Sequence, residues 1–132
     1  MSNPLRALIV EDSADDALLI ARQLSQGGYE LIYEQVQTAV SMADALKQHW
    51  DIIICDHFMP QFDSLAALKI ARGKSPQTPF IIVSGRLHNG AIQEIMSCGA
   101  SDYVSKDDIA RLLPVIEREL KSVQVCRSVK QP

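Results

Sequence analysis

The stretch DIIICDHFMPQFD, residues 51–63, decides the fold. Its branched apolar run at 52–54 is typical of a β-strand that is covered on both faces. The run ends in a carboxylate, Asp56, and a loop containing Met59-Pro60 follows. A strand of this composition belongs in the middle of a parallel sheet, with Asp56 at its carboxyl end.

Apolar runs and amphipathic stretches alternate on both sides of this strand. The predicted strands, numbered β1 to β5, lie at 5–10, 30–36, 51–55, 80–84 and 102–104. Helices α1 to α4, with their predicted caps and stops, lie at 13–28, 39–50, 64–72 and 89–99. The charges within β2 predict that it is an edge strand. The alternation predicts an α/β protein of (βα)5 type, with a doubly wound parallel sheet.

The last segment is less regular, because Pro114 cannot lie inside a continuous helix. It predicts a short turn at 107–112 and a helix α5 that begins near Leu113, with the proline in its first turn. We expect one domain at 1–124, and a tail or the start of a linker at 125–132.

Composition limits the classes of function. The 132 residues are 47% hydrophobic and 22% charged with a net charge of −3, which predicts one globular domain without a nucleic-acid partner. Cys55, Cys98 and Cys126 are widely spaced, as reduced thiols in a cytoplasmic protein would be. No apolar run is long enough for a signal peptide or a membrane span, so we expect no membrane partner.

Polar residues follow the strands at the edge where parallel α/β sheets bind ligands. Glu11 and Asp12 follow β1, and Asp56 follows β3. If β1 and β3 are neighbours, three carboxylates converge, and their mutual repulsion calls for a cation. Oxygen ligands of this kind suit Mg²⁺.

Two further residues point to phosphate chemistry. Ser84 ends β4 and offers a hydroxyl donor, and Lys106 follows β5 and offers a positive charge. Together with the acids they predict phosphoryl transfer onto a carboxylate nucleophile.

These segments in this order resemble the receiver domains of two-component response regulators. The resemblance covers about residues 5–122 and rests on the segments VEDS, CDHFMPQFDSLAAL, IIVSG and GASDYVSK. It implies a flavodoxin-like fold with strand order 2-1-3-4-5, the order found in a chemotaxis regulator of the same family.

The resemblance also implies a role for each matching residue. Asp56 would accept a phosphoryl group from a histidine kinase or a histidine phosphotransfer protein. The implied Mg²⁺ ligands are Glu11, Asp12, Asp56 and the carbonyl of Phe58. Ser84 and Lys106 would contact the phosphoryl oxygens. Ser84 and Tyr103 would switch the α4–β5–α5 face, which would bind an output partner or a second copy of the chain.

The sequence departs from the usual receiver pattern at three points. Ser64 stands where many relatives have glycine, which predicts a different loop geometry after β3. Asp107 stands where a proline is common after Lys106, and this predicts a trans bond because a non-proline cis bond costs ~3 kcal/mol. Asp107 and Asp108 also add negative charge near Lys106, although they could instead cap the following turn.

Two other classes of function fit these residues less well. A phosphorylation-independent interaction module would usually lack the acceptor, an acid or the lysine. An aspartate-nucleophile phosphohydrolase would usually carry an acid at the position of Phe58, which cannot transfer protons.

Tyr103 alone could be ordinary packing. We interpret Cys55 and His57 as a structural thiol and a loop histidine, because a zinc site needs about four ligands.

Overall fold

Five strands form one parallel sheet in the computed structural model, which describes residues 3–57, 62–85, 87 and 89–130. The strands are β1 (Asn3–Val10), β2 (Tyr29–Val36), β3 (Ile52–Cys55), β4 (Phe80–Ser84) and β5 (Asp102–Ser105). Their order is β2-β1-β3-β4-β5, so the predicted fold is confirmed and β2 is an edge strand.

In the described part of the chain, a helix lies between each strand and the next, and one more helix follows β5. They are α1 (Ala14–Gln26), α2 (Ala39–Ala45), α3 (Ser64–Lys74), α4 (Asn89–Ser97) and α5 (Leu112–Lys130), with a short 3-10 helix at Lys106–Arg111. Within the residues that the structure describes, none of these helices has both the length and the apolarity of a membrane span.

Helix α2 is shorter than the sequence predicts, since it ends at Ala45 and not at Trp50. Trp50 is nevertheless buried, which is why it continues the apolar period. Its indole Nε1 donates a hydrogen bond of 2.8 Å to the Ala45 carbonyl. The indole therefore pairs one of the last carbonyls of the helix, which have no partner within the helix.

The segment after β5 largely follows the prediction. The 3-10 helix replaces the expected turn, and Ser105 caps it by accepting a hydrogen bond from the Asp107 amide. Helix α5 begins at Leu112, so Pro114 lies in its first turn as expected. The helix continues to Lys130, and the division of the chain at 124 stays a prediction.

The core forms two layers, one on each face of the sheet. Ile53 and Cys55 of β3 pack toward α2, α3 and α4, whereas Ile52 and Ile54 pack toward α1 and α5. All four residues are fully buried. Because burying an isoleucine side chain contributes roughly 1.5–3 kcal/mol, β3 anchors both layers.

Strand register sets the positions of the residues that follow the strands. Val10 pairs with Cys55, and the Asp56 amide donates a hydrogen bond of 2.9 Å to the Val10 carbonyl. Ser84 pairs with Ser105. The segments after β1 and β3 therefore leave the sheet side by side, and Lys106 leaves it next to Ser84.

Gly99 ends α4 in a backbone conformation that other residues rarely adopt, with φ +110°. We predict that Gly99→Ala lowers the free energy of unfolding in urea by ~1–2 kcal/mol, because a Cβ is strained there. Gly73→Ala is the matched control, since no described atom lies within 4 Å of its added Cβ. In helix α3 that change should stabilise by up to ~1 kcal/mol. Equal stability of the two variants would contradict the prediction.

Candidate functional site

Three carboxylates meet at the carboxyl edge of the sheet. One ligand oxygen each from Glu11, Asp12 and Asp56 can be chosen so that all three lie within 4.8 Å of one another. Glu11 and Asp56 are buried, with 1% and 7% of their surface exposed, whereas Asp12 is exposed. We call these three residues the acid triple. Their convergence follows from the pairing of β1 with β3, as expected.

Burial disfavours the ionised forms of the carboxylates in this cluster. Loss of hydration, followed by the nearby charge of Asp56, raises the pKa of Glu11 to about 7, although Lys106 acts in the opposite direction. Glu11 also accepts a hydrogen bond of 3.2 Å from the Ser13 amide. A positive charge at this position would favour the ionised form of Glu11.

Lys106 supplies part of that positive charge. Its Nζ lies 3.1 Å from Glu11 Oε2, 2.7 Å from Asp16 Oδ2 and 3.5 Å from Asp56 Oδ2. Burial alone would lower the pKa of Lys106, but the hydrogen bond to Asp16 and the charges of Glu11 and Asp56 outweigh it and raise the pKa. Lys106 is therefore cationic and joins the acid triple to helix α1.

Asp16 makes a contact with Lys106 that the sequence did not predict. Ser13 caps helix α1, and the Asp16 amide donates a hydrogen bond of 3.2 Å to Ser13 Oγ. The Asp16 carboxylate, however, turns to Lys106. The signal was its place in the first turn of the helix that follows Glu11 and Asp12, since that turn starts at the same edge of the sheet.

Ser84 brings a hydroxyl to the same edge. It is fully buried, and its Oγ has no hydrogen-bond partner among the described residues. A buried hydroxyl without a partner costs about 1–3 kcal/mol, so a group that accepts a hydrogen bond from Ser84 would be stabilised at this edge. No described atom lies within 4 Å of a Cβ added at Gly85, so there is open space beside Ser84.

Tyr103 lies on β5 and pairs with Ile82 of β4, two residues before Ser84. Its ring is half-buried and packs against the core layer on the α2–α3–α4 side. Its hydroxyl donates a hydrogen bond of 2.7 Å to the Gly85 carbonyl. Tyr103 is therefore both a packing residue and a link to the residue that follows Ser84, and its role as a switch stays a prediction.

The loop after β3 is only partly described. Phe58, the predicted carbonyl ligand, lies outside the described residues. His57 Nδ1 forms a hydrogen bond of 2.6 Å with Ser64 Oγ, and Ser64 is buried at the start of α3. The serine that replaces the usual glycine therefore ties the two ends of this loop together, a contact that the sequence did not reveal.

The remaining local predictions concern Asp107 and Cys55. No peptide bond is cis in the described part of the chain, so the bond from Lys106 to Asp107 is trans as predicted. Asp107 and Asp108 are exposed in the first turn of the 3-10 helix, which Ser105 caps.

Cys55 is buried, and its thiol donates to the Asp56 carbonyl at 3.2 Å, which fits a structural thiol.

The fold and these residues define a class of protein. The chain belongs to the response regulator receiver domain family, whose family model matches residues 7–117. Phosphorylation and a magnesium site are typical of this family. A protein-glutamate methylesterase/protein-glutamine glutaminase of Archaeoglobus fulgidus is 32% identical over 128 residues, which are 94% of this chain and 36% of that protein. The chain thus spans well under half the length of such relatives.

Solved structures show the same fold. The receiver domain of a signal transduction histidine kinase from Syntrophus aciditrophicus matches with a TM-score of 0.76 at 27% identity, covering 90% of this chain and 92% of that one. The receiver domain of the Pseudomonas aeruginosa sensor histidine kinase PA1611 also has a TM-score of 0.76, at 21% identity, covering 89% and 98% of the two chains. That structure has a magnesium ion coordinated in its active-site cleft, and its likeness to this chain shows the fold alone.

The raised pKa of Glu11 makes stability depend on pH. The folded protein keeps a proton on Glu11 up to about pH 7, while the unfolded chain releases it near the ordinary glutamate pKa of 4.5. In magnesium-free buffer we predict that the free energy of unfolding attributable to Glu11 falls as pH rises through this window, by up to ~1.4 kcal/mol per pH unit. Urea unfolding of the wild type and of Glu11→Gln measures it. A difference between the two that does not vary with pH would contradict the prediction.

Proposed function

We propose that this chain is a phosphoacceptor whose Asp56 receives a phosphoryl group from a histidine kinase or a histidine phosphotransfer protein. The observation that supports it best is a grouping at one edge of the sheet. It joins a buried carboxylate, a cationic Lys106 and a Ser84 hydroxyl that has no partner among the described residues. A carboxylate can act as the nucleophile, and the two donors can bind the oxygens of the incoming group.

The donor set of the acid triple fits Mg²⁺, because it consists of oxygens from carboxylates of which one is exposed. Glu11, Asp12 and Asp56 would hold the ion, together with the Phe58 carbonyl that the resemblance implies. When bound, the ion would neutralise charge that develops on the phosphoryl oxygens. The residues of the chain fix the position of the acceptor and of the two donors.

The transfer would join Asp56 directly to phosphorus. One Asp56 carboxylate oxygen forms a bond to phosphorus, while the bond from phosphorus to the donor's imidazole nitrogen breaks and the imidazole leaves with the electron pair. Lys106 Nζ already lies 3.5 Å from Asp56 Oδ2, so it is close to the oxygens of the new group. In this sense the chain would promote its own modification and would have no external product.

The phosphoryl group would then act on the neighbouring strand ends. A hydrogen bond from Ser84 to the phosphoryl group exists only in the modified state, and such a differential contact shifts a conformational equilibrium. Tyr103 is bonded to Gly85, the residue after Ser84. Movement of Ser84 would therefore reach Tyr103 and the α4–β5–α5 face, where we place the output partner or a second copy.

We also place the chain in the cytoplasm, where kinases of this class act on their receivers. Cys55 and Cys98 are free cysteines, as a reducing compartment would keep them.

Incubation with acetyl phosphate and Mg²⁺ tests the proposed acceptor. We predict that the intact mass of the wild type increases by one phosphoryl group, and that Asp56→Asn shows no increase because the amide is a poor nucleophile. Asp63→Asn is the matched control, since asparagine keeps the helix cap that Asp63 provides to α3. It should be labelled like the wild type. No labelling of the wild type, or equal labelling of Asp56→Asn, would overturn the proposal.

A further inference from the structure

Lys106 is held most closely by a residue outside the acid triple. Its Nζ lies 2.7 Å from Asp16 Oδ2, which is shorter than its distances to Glu11, 3.1 Å, and Asp56, 3.5 Å. A short ammonium–carboxylate contact of this kind is a charge-assisted hydrogen bond, which is stronger than a neutral one. In this state Asp16 therefore draws the ammonium toward α1.

The three contacts use the full donor capacity of the ammonium group, which has three N–H bonds. A phosphoryl group on Asp56 needs at least one of these donors, so one carboxylate must give up its share. Glu11 is almost fully buried, so water cannot take the place of Lys106 there as readily as at an exposed carboxylate.

Asp16 is the carboxylate that can release Lys106 at low cost. Its side chain is 40% exposed, compared with 1% for Glu11, so water can replace the lysine. It also lies in the first turn of α1, where the positive end of the helix dipole favours a carboxylate.

We propose that Asp16 is a positioning residue that competes with the phosphoryl group on Asp56 for Lys106. It holds the ammonium in the unmodified state and gives it up when the phosphoryl group is present. The inference rests on the proposed phosphoacceptor function. It assigns to Asp16 an influence on the equilibrium between the unmodified state and the state with a phosphoryl group on Asp56.

The competition has a defined direction. A contact that exists in the unmodified state and is lost in the modified state stabilises the former, so its removal should favour the latter. For a partly exposed ion pair the expected size is about two- to fivefold in an equilibrium constant. The effect must pass through Lys106, which distinguishes it from the simple loss of a negative charge.

Beryllofluoride with Mg²⁺ is the probe, since it mimics a phosphoryl group on a carboxylate without turnover. Isothermal titration calorimetry would give its Kd for the wild type, Asp16→Asn and Asp15→Asn. Asp15 lies in the same first turn and is exposed, and it is not among the carboxylates within 4.0 Å of Lys106 Nζ in the described part of the chain. We expect Asp16→Asn to lower the Kd about two- to fivefold and Asp15→Asn to leave it unchanged.

Comparing Asp16 with Asp16→Asn in a Lys106→Met background tests whether the effect passes through Lys106. Lys106→Gln is the reserve background if Lys106→Met does not fold. There Asp16→Asn should no longer change the Kd, as a double-mutant cycle requires of coupled residues. An unchanged or higher Kd for Asp16→Asn, an equal decrease for Asp15→Asn, or a decrease that persists without Lys106 would overturn the inference. If the wild type binds no beryllofluoride, the phosphoacceptor function fails as well, so the two failures are distinguishable.

Discussion

Two carboxylates, Glu11 and Asp56, are buried side by side at the end of a sheet, and this arrangement sets the demands on the rest of the site. Burial disfavours their charged forms, and their proximity adds repulsion, as the raised pKa of Glu11 shows. Lys106 offsets part of this cost from the end of β5, and Asp16 in turn holds Lys106. The cluster is therefore a partly compensated charge centre that a bound cation would complete.

The fold is what makes such a centre possible. Strand β3 is buried on both faces and is fixed between β1 and β4. Asp56, which directly follows β3, is therefore held in a fixed position. The pairing of β4 with β5 places Ser84 beside the segment that carries Lys106. Donors and carboxylates that are far apart in the sequence thus meet at one edge, where a small group could act on all of them.

The apolar runs predict the strands, whereas their order is implied by the resemblance to receiver domains. That order makes β1 and β3 neighbours, and the acids that follow these two strands then form the acid triple. The sequence predicts the end of α2 poorly, since Trp50 keeps the helical period while its indole pairs the helix terminus from outside. The contact of Asp16 with Lys106 and the contact of His57 with Ser64 do not follow from the sequence, for a different reason. They depend on where a side chain turns at a helix start or across a loop, which periodicity does not encode.

The most direct test of the charge centre is the stability of the protein as a function of Mg²⁺ concentration. Urea unfolding at fixed ionic strength and above pH 7 would measure it, with Asp12→Asn as a comparison because Asp12 is the exposed member of the acid triple. A ligand that binds only the folded state raises the free energy of unfolding with the logarithm of its concentration. We predict that rise for the wild type and a weaker one for Asp12→Asn. A wild type whose stability does not respond to millimolar Mg²⁺ would contradict the account.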